Sequence, residues 1–408
     1  MNTIKDINVD IINDSRNIPT LSVTVILGVG FSGNCMVPSG ASTGEFEAYE
    51  MRDDGTSHGG VEKAKEIILT KILPNLLGKD ASNQKMIDET MLQLDGTNNK
   101  HNLGGNSILG VSIACAKAVA KSRGEEFYKY LRTLSEETSL KKVPHLYFNL
   151  INGGKHAKTK LSFQEYHIVP IVDDINESLN IAEKIQNKLG EIIFEKYGGV
   201  KKGDEGGYAI PEEDVRIPLT LLSQAVEICG FKDKVLFALD VAATSFYDKD
   251  REVYVIGGKD YKKEEIRDMY ISLTQEFPFI SIEDPFFEED FDSFTELQDL
   301  LPNVIMVGDD LTVTNIVRVK EAVERKSIKG LIVKPNQIGT LTETVETINY
   351  AQKNGVHCIL SHRSGETMDD MIADIAFAFH TFGMKSGARG PKEREVKYKR
   401  LANITSQD

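Results

Sequence analysis

From Thr20 the segment TLSVTVILG alternates apolar and polar positions with the period of a half-buried β-strand. VEKAKEIILTKILPNLLG and NSILGVSIACAKAVAKSRG instead space their apolar residues for one face of an α-helix. Between strand and helices lies VPSGASTGEFEAYEMRD, whose small residues predict a mobile loop. A break near KKVPHLYFNLINGG then divides the chain into an α+β unit, residues 1–140, and a second domain, residues 141–408.

The second domain repeats one rhythm: an apolar run, a polar residue, a helical segment. VLFALDVAA, FPFISIEDP, NVIMVGDDL, GLIVKPNQ and VHCILSHRS end at Asp240, Glu283, Asp309, Lys334 and His362, 25 to 43 residues apart, as β/α units are. Unbroken apolar runs suit strands buried on both faces, so parallel strands with helical crossovers are predicted. No GxGxxG follows any of them, and polar residues at so many corresponding ends suit a closed β/α barrel whose strands all end at one mouth. Lys334 stands against Pro335, which biases it to extended geometry and makes it the last residue of its strand.

Charge narrows the possible ligands. The 408 residues carry a net charge of -14, which excludes a general binder of nucleic acid or anionic membrane, while an anionic substrate needs local cations. No bilayer-length apolar run and no secretory signal stand out, so the protein reads as soluble and cytoplasmic. Cys35, Cys115, Cys229 and Cys358 form no CxxC and mostly lie in apolar surroundings, as reduced core thiols do.

Three carboxylates at one mouth, Asp240, Glu283 and Asp309, repel one another unless a cation joins them, and an all-oxygen set suits Mg²⁺ better than zinc. KKGDEGGYAI adds Asp204 and Glu205 among glycines; FQEYHIVP adds Gln164 and Glu165, a Glu whose apolar setting would raise its pKa for acid work. Lys334, Lys385 and the triplet His362, Arg363, Ser364 supply positive charge, and neighbouring cations would lower the pKa of Lys334 toward that of a general base.

These residues lie in longer motifs: DSR, PSGASTG, NLGGNSILGVS, INGGKHA, FQEY, GDEGGYA, LDVAA, SIEDPF, VGDDLTVTN, KPNQIGT, SHRSGET, KSGA and KYKRL. In that order, nearly end to end, they resemble the enolase family. The resemblance implies an α/β protein with an N-terminal α+β capping domain and a C-terminal β/α barrel of the enolase type, acting as a phosphopyruvate hydratase of glycolysis. It implies two Mg²⁺ per site, one on Asp240, Glu283 and Asp309 and a second arriving with substrate and held partly by Ser42. Lys334 matches the base that removes the proton beside the carboxylate of 2-phosphoglycerate, and Lys385 the lysine that holds this carboxylate. Glu205, assisted by Glu165, would help the 3-hydroxyl leave; His156, Gln164 and His362 would line the pocket; Arg363 and Ser364 would hold phosphate. A homodimer or higher homo-oligomer is also implied, with no nucleic-acid or membrane partner.

Several loops depart from the family pattern. GGSHAGN reads GGKHAKT here, adding Lys155 and Lys158; DSRGNPT reads DSRNIPT; KVNQ reads KPNQ; and TGAP becomes SGARGPKER, with Arg389. These changes touch the rim, so an enolase-like lyase for a related phosphonate or phosphorylated acid stays open beside the enolase reading. So does a silent paralogue serving as an interaction protein, although every matched catalytic group is kept.

Overall fold

The computed structural model describes residues 2–40, 44–135, 143–199 and 201–407. Its first unit is an antiparallel sheet of β1 (Ile4–Asn13), β2 (Pro19–Leu27) and β3 (Ser32–Met36), in that order. Alternation in β2 puts Leu21, Val23, Val25 and Leu27 wholly out of solvent. Two helices that belong to this unit are α1 (Gln84–Asp95) and α2 (Gly105–Ser122). α2 lies so close to the sheet that a Cβ on Gly33 would come within 2.2 Å of the Ala114 carbonyl, so only glycine fits there. The other segment with helical spacing is helical from Glu62 to Leu76, with a π-helical turn at Ile68–Ile72. The break near residue 141 falls outside the described residues.

The second unit is a closed barrel of eight strands: β4 (His145–Asn152), β5 (Glu165–Pro170), β6 (Val235–Asp240), β7 (Phe279–Glu283), β8 (Ile305–Gly308), β9 (Gly330–Val333), β10 (His357–Ser361) and β11 (Gly383–Lys385). Each pairs with the next, and β11 closes on β4 through Lys385 opposite Tyr147. The apolar runs read as strands are strands, because both faces are covered. Ile332 of β9 points into the barrel with Tyr147, Val169, Ala238, Ile280, Val307 and Ile359, whereas Leu331 and Val333 join the core outside it.

One expectation is corrected. The barrel is not wholly parallel: β5 runs antiparallel to both β4 and β6. The twelve residues between β4 and β5 hold a single 3₁₀ turn, Gly154–His156, and no crossover helix, so the chain returns along its neighbour as a long hairpin. The mouth therefore receives the carboxyl ends of seven strands and the amino end of β5, which is where Glu165 sits. Register does the rest: Glu165 stands opposite Asp240, and Asp240 opposite Glu283, so three carboxylates form one row across three neighbouring strands.

The first unit docks on the barrel through buried polar contacts. Ser39 and Gly365 exchange backbone hydrogen bonds at 2.8 and 2.9 Å, and Asp88 of α1 accepts from the Thr342 hydroxyl at 2.6 Å. Lys117 of α2 donates to both oxygens of Asp369 at 2.7 and 2.8 Å, and Asp369 also accepts from the Met36 amide. Burial pushes the Asp369 carboxyl up, but Lys117 and the amides outweigh it and hold the group below its ordinary value. A depressed carboxyl stabilises the fold above its unfolded pKa of about 3.9, and that contribution is lost as pH falls through the folded value. Lys117→Met is expected to cost about 3 to 5 kcal/mol by stranding Asp369, measured by urea unfolding at neutral pH, and the deficit should shrink below pH 4. Three of the four cysteines are buried and all are free thiols, as their apolar surroundings predict.

Candidate active site

The strand of GLIV ends at Val333, and Lys334 follows it in extended conformation (φ -127°, ψ 104°) as the cap of the short helix Pro335–Ile338. Its amide donates to the Thr314 hydroxyl at 2.9 Å, which fixes the backbone where the ammonium must be aimed. The Lys334 Nζ lies 2.5 Å from Asp309 Oδ2, and Gln337 donates to the other Asp309 oxygen at 2.9 Å. Burial, Arg363 and Lys385 each lower the Lys334 pKa, but Asp309 pulls it above the ordinary lysine value. The expectation of a lowered pKa fails because a carboxylate in contact outweighs cations standing farther off.

Lys385, on the far side of the barrel from β7, reaches across the mouth. Its Nζ is 2.8 Å from both Glu283 oxygens, 3.3 Å from Asp240 Oδ2 and 3.2 Å from Glu165 Oε2. One buried ammonium thus closes the carboxylate row from inside. Gln164 donates to the same Asp240 oxygen at 3.3 Å.

Beside this row lies a second cluster. His156 Nδ1 is 2.9 Å from Glu165 Oε1, out of line for a hydrogen bond, and 3.6 Å from Glu205 Oε1. Burial lowers the His156 pKa, yet the two carboxylates lift it to about 9, so the ring is an imidazolium. Burial works against ionisation of Glu165 too, but Lys385, His156 and His167, whose Nε2 is 2.9 Å from Glu165 Oε2, hold it well below its ordinary range. The raised pKa expected for Glu165 from its apolar setting is therefore corrected: Lys385, reaching over from β11, and His156, from the turn after β4, bring positive charge to it. Burial and Glu165 raise Glu205, but His362 and His156 outweigh them and its pKa falls to about 2; Asn149 also donates to it at 3.0 Å. In this cluster the proton resides on His156.

The predicted residues converge, with three qualifications. Asp240 and Glu283 share Lys385, whereas Asp309 pairs with Lys334 and clusters with Asp284 and Asp310, with oxygens within 4.8 Å of one another. Ser42 lies outside the described residues. Arg363 is present but engaged: its Nη1 is 2.9 Å from Glu47 Oε2, and Glu47 comes from the small-residue loop of the first unit. Asp284, Asp310 and Glu47 join the site without having been among the candidate residues; the doubled acids of IEDP and GDDL are the local signal for the first two. Asp204, read beside Glu205, does not line the cavity.

Apart from Glu283, which like Asp204 is not among its lining residues, these groups line a cavity of about 120 Å³, with nine carboxylates against four lysine and arginine side chains. Burial and neighbouring acids push Glu283 and Asp284 far up and Asp310 up to about 8. Carboxyl groups too crowded to ionise together without a cation, all of them oxygen donors, fit a hard divalent ion. Three of the four cations are already paired: Lys334 with Asp309, Lys385 with the row and Arg363 with Glu47. Lys155 is the fourth, and among the described residues no carboxylate lies within 4.0 Å of it. Lys158 is exposed and off the cavity, and Arg389 is turned away toward Glu395 at 2.5 Å, so of the three added cations only Lys155 reaches the site.

Comparison with known proteins adds the following. Residues 4–131 match the family profile described as "Enolase, N-terminal domain", and residues 140–407 that described as "Enolase, C-terminal TIM barrel domain". A protein named Enolase from Methanocaldococcus jannaschii is 44% identical over 409 residues, covering 99% of this chain and 95% of the relative. The Enolase of Methanopyrus kandleri is 44% identical over 399 residues, covering 96% and 92%. That of Corynebacterium kroppenstedtii is 41% identical over 410 residues, covering 99% and 95%.

Proposed function

We infer the division of labour below from one premise: the chain belongs to the enolase family. Its reaction is the reversible dehydration of 2-phosphoglycerate to phosphoenolpyruvate, a carbon–oxygen lyase step of glycolysis and gluconeogenesis. The observation that carries the assignment of roles is the fixed lysine at 334, seated among carboxylates at the barrel mouth.

A proton on the carbon beside an ionised carboxylate is feebly acidic, because its removal adds charge to an anion. Lys334 Nζ, held at a strand end by Pro335 and Thr314, takes that proton as general base. Lys385 holds the substrate carboxylate, and its buried ammonium, preorganised in the row, opposes the developing charge. A divalent metal, which the family implies, would supply further positive charge there, and Asp309 would then be shared between it and Lys334. Asp240, Glu283 and Asp309 would hold a first Mg²⁺, and Ser42 a second that comes with substrate. On the hydroxyl side the proton comes from His156, which is left neutral, and Glu205, ionised at rest and with Glu165 beside it, relays it to the leaving oxygen so that water departs. Gln164 and His362 line this pocket, and Arg363 and Ser364 take the phosphate.

No helix among the described residues is long and apolar enough to cross a membrane. We place the protein in the cytoplasm as a homodimer or higher homo-oligomer, acting on a small phosphorylated acid. Formation of the enol product from 2-phosphoglycerate, followed by ultraviolet absorbance with Mg²⁺ and then with EDTA, tests the reading; turnover indifferent to chelation overturns the metal roles. Lys155→Ser is expected to raise KM about five-fold at low salt with kcat little changed, a gap that closes as salt screens the rim. Lys158→Ala, on the same loop, should move neither constant. Steady-state kinetics across a salt series check both.

A further inference from the structure

His362 is held between two groups whose hydrogen-bonding chemistry is one-sided. On one edge, Arg394 Nη1 is 2.5 Å from His362 Nδ1; on the other, Glu205 Oε2 is 3.3 Å from His362 Nε2. A guanidinium carries N–H donors and no acceptor, and an ionised carboxylate only accepts. One protonation pattern of a neutral ring satisfies both: a bare Nδ1 that accepts from Arg394, and an Nε2–H that donates to Glu205.

Arg394 cannot readily turn away from this duty. It is wholly buried, and it also donates to the Arg363 carbonyl at 2.6 Å and the Ser364 carbonyl at 2.8 Å. It enters from the first turn of the C-terminal helix Lys392–Gln407, at the end of SGARGPKER, where only Arg389 stood out as an added cation. The ring has little freedom either: a Cβ on Gly387, at φ +71°, would stand 3.2 Å from His362 Cε1. Burial and then Arg394 disfavour a charged ring, against the pull of Glu205, and the balance leaves His362 below the ordinary histidine value.

We propose that Arg394 is a positioning residue that fixes His362 as the Nε2–H tautomer, so that the ring donates to Glu205 and keeps that carboxylate oriented for the leaving hydroxyl. The role assigned to Glu205 rests on the reading under Proposed function; the tautomer itself does not. Because the same guanidinium clamps the carbonyls of Arg363 and Ser364, it also ties the phosphate side of the mouth to the hydroxyl side.

The test is ¹⁵N NMR of protein labelled at histidine, with the His362 signal assigned by its loss in His362→Asn. Wild type should show Nδ1 bare and Nε2 protonated; the opposite tautomer or an imidazolium overturns the proposal whether or not any variant folds. In Arg394→Gln the side-chain amide can present its carbonyl to Nδ1, so the tautomers should mix and kcat fall about 10- to 100-fold. Arg394→Lys still offers only donors and should restore the tautomer and part of kcat. A drop in kcat with the tautomer unchanged in Arg394→Gln reduces Arg394 to a structural clamp and sinks the idea. If wild type shows the expected tautomer yet does not dehydrate 2-phosphoglycerate, the catalytic reading of Glu205 fails and the tautomer assignment stands.

Discussion

Lys334→Ala should bind metal and remain folded, yet dehydrate 2-phosphoglycerate about 10²- to 10⁴-fold more slowly, the range a positioned general base contributes. The base is valuable because it cannot wander. Its backbone is extended ahead of Pro335, its amide is tied to Thr314, and its ammonium is aimed at Asp309 across 2.5 Å. Truncation leaves Asp309 with its Gln337 hydrogen bond at 2.9 Å, so the metal side keeps a partner. Lys334→Arg should not rescue, since a guanidinium stays protonated at any working pH. Because Asp309 lifts the folded pKa of Lys334, the neutral amine becomes more abundant as pH rises, and wild-type kcat/KM should climb on that limb. Exchange of the substrate's carbon-bound proton with deuterated solvent isolates the step. Exchange at the wild-type rate in Lys334→Ala would remove lysine from the role of base.

The second large effect concerns the cation. Wild-type protein should melt at a higher temperature with Mg²⁺ than with EDTA, since a ligand at 100 times its Kd adds about 2.7 kcal/mol to the native state. Glu283→Gln should lose most of that gain and nearly all turnover. Glu283 is 5% exposed, and both its oxygens are 2.8 Å from Lys385, beside Asp240. The amide removes one charge from the row but keeps its shape, so loss of metal response reports on ligation. Thermal melting and titration calorimetry decide between two donor sets: an undiminished Mg²⁺ response in the variant would assign the ion to Asp284, Asp309 and Asp310, which crowd within 4.8 Å.

Much of the site was legible because its residues sit in fixed local settings. Lys334 before proline, or Asp240 at the end of VLFALD, can be placed from a few neighbours. Arg394 could not be, since nothing near KER announces a guanidinium that will clamp a loop some thirty positions earlier. Glu47 likewise meets Arg363 only because the first unit docks on the mouth. The direction of β5 was also hidden, since an apolar run reads the same whichever way its strand points.

The sequence by itself determined which segments are strands and helices, where their polar ends fall, and what chemistry those ends can supply, because periodicity and residue type are local properties. The tertiary structure alone decided which charges touch. It turned one strand end for end to bring Glu165 to the mouth, raised Lys334 by setting it on Asp309, and put the shared proton on His156. Protonation follows the field of every neighbour within a few ångströms, and those neighbours come from strands far apart in the chain, so only the closed barrel fixes it.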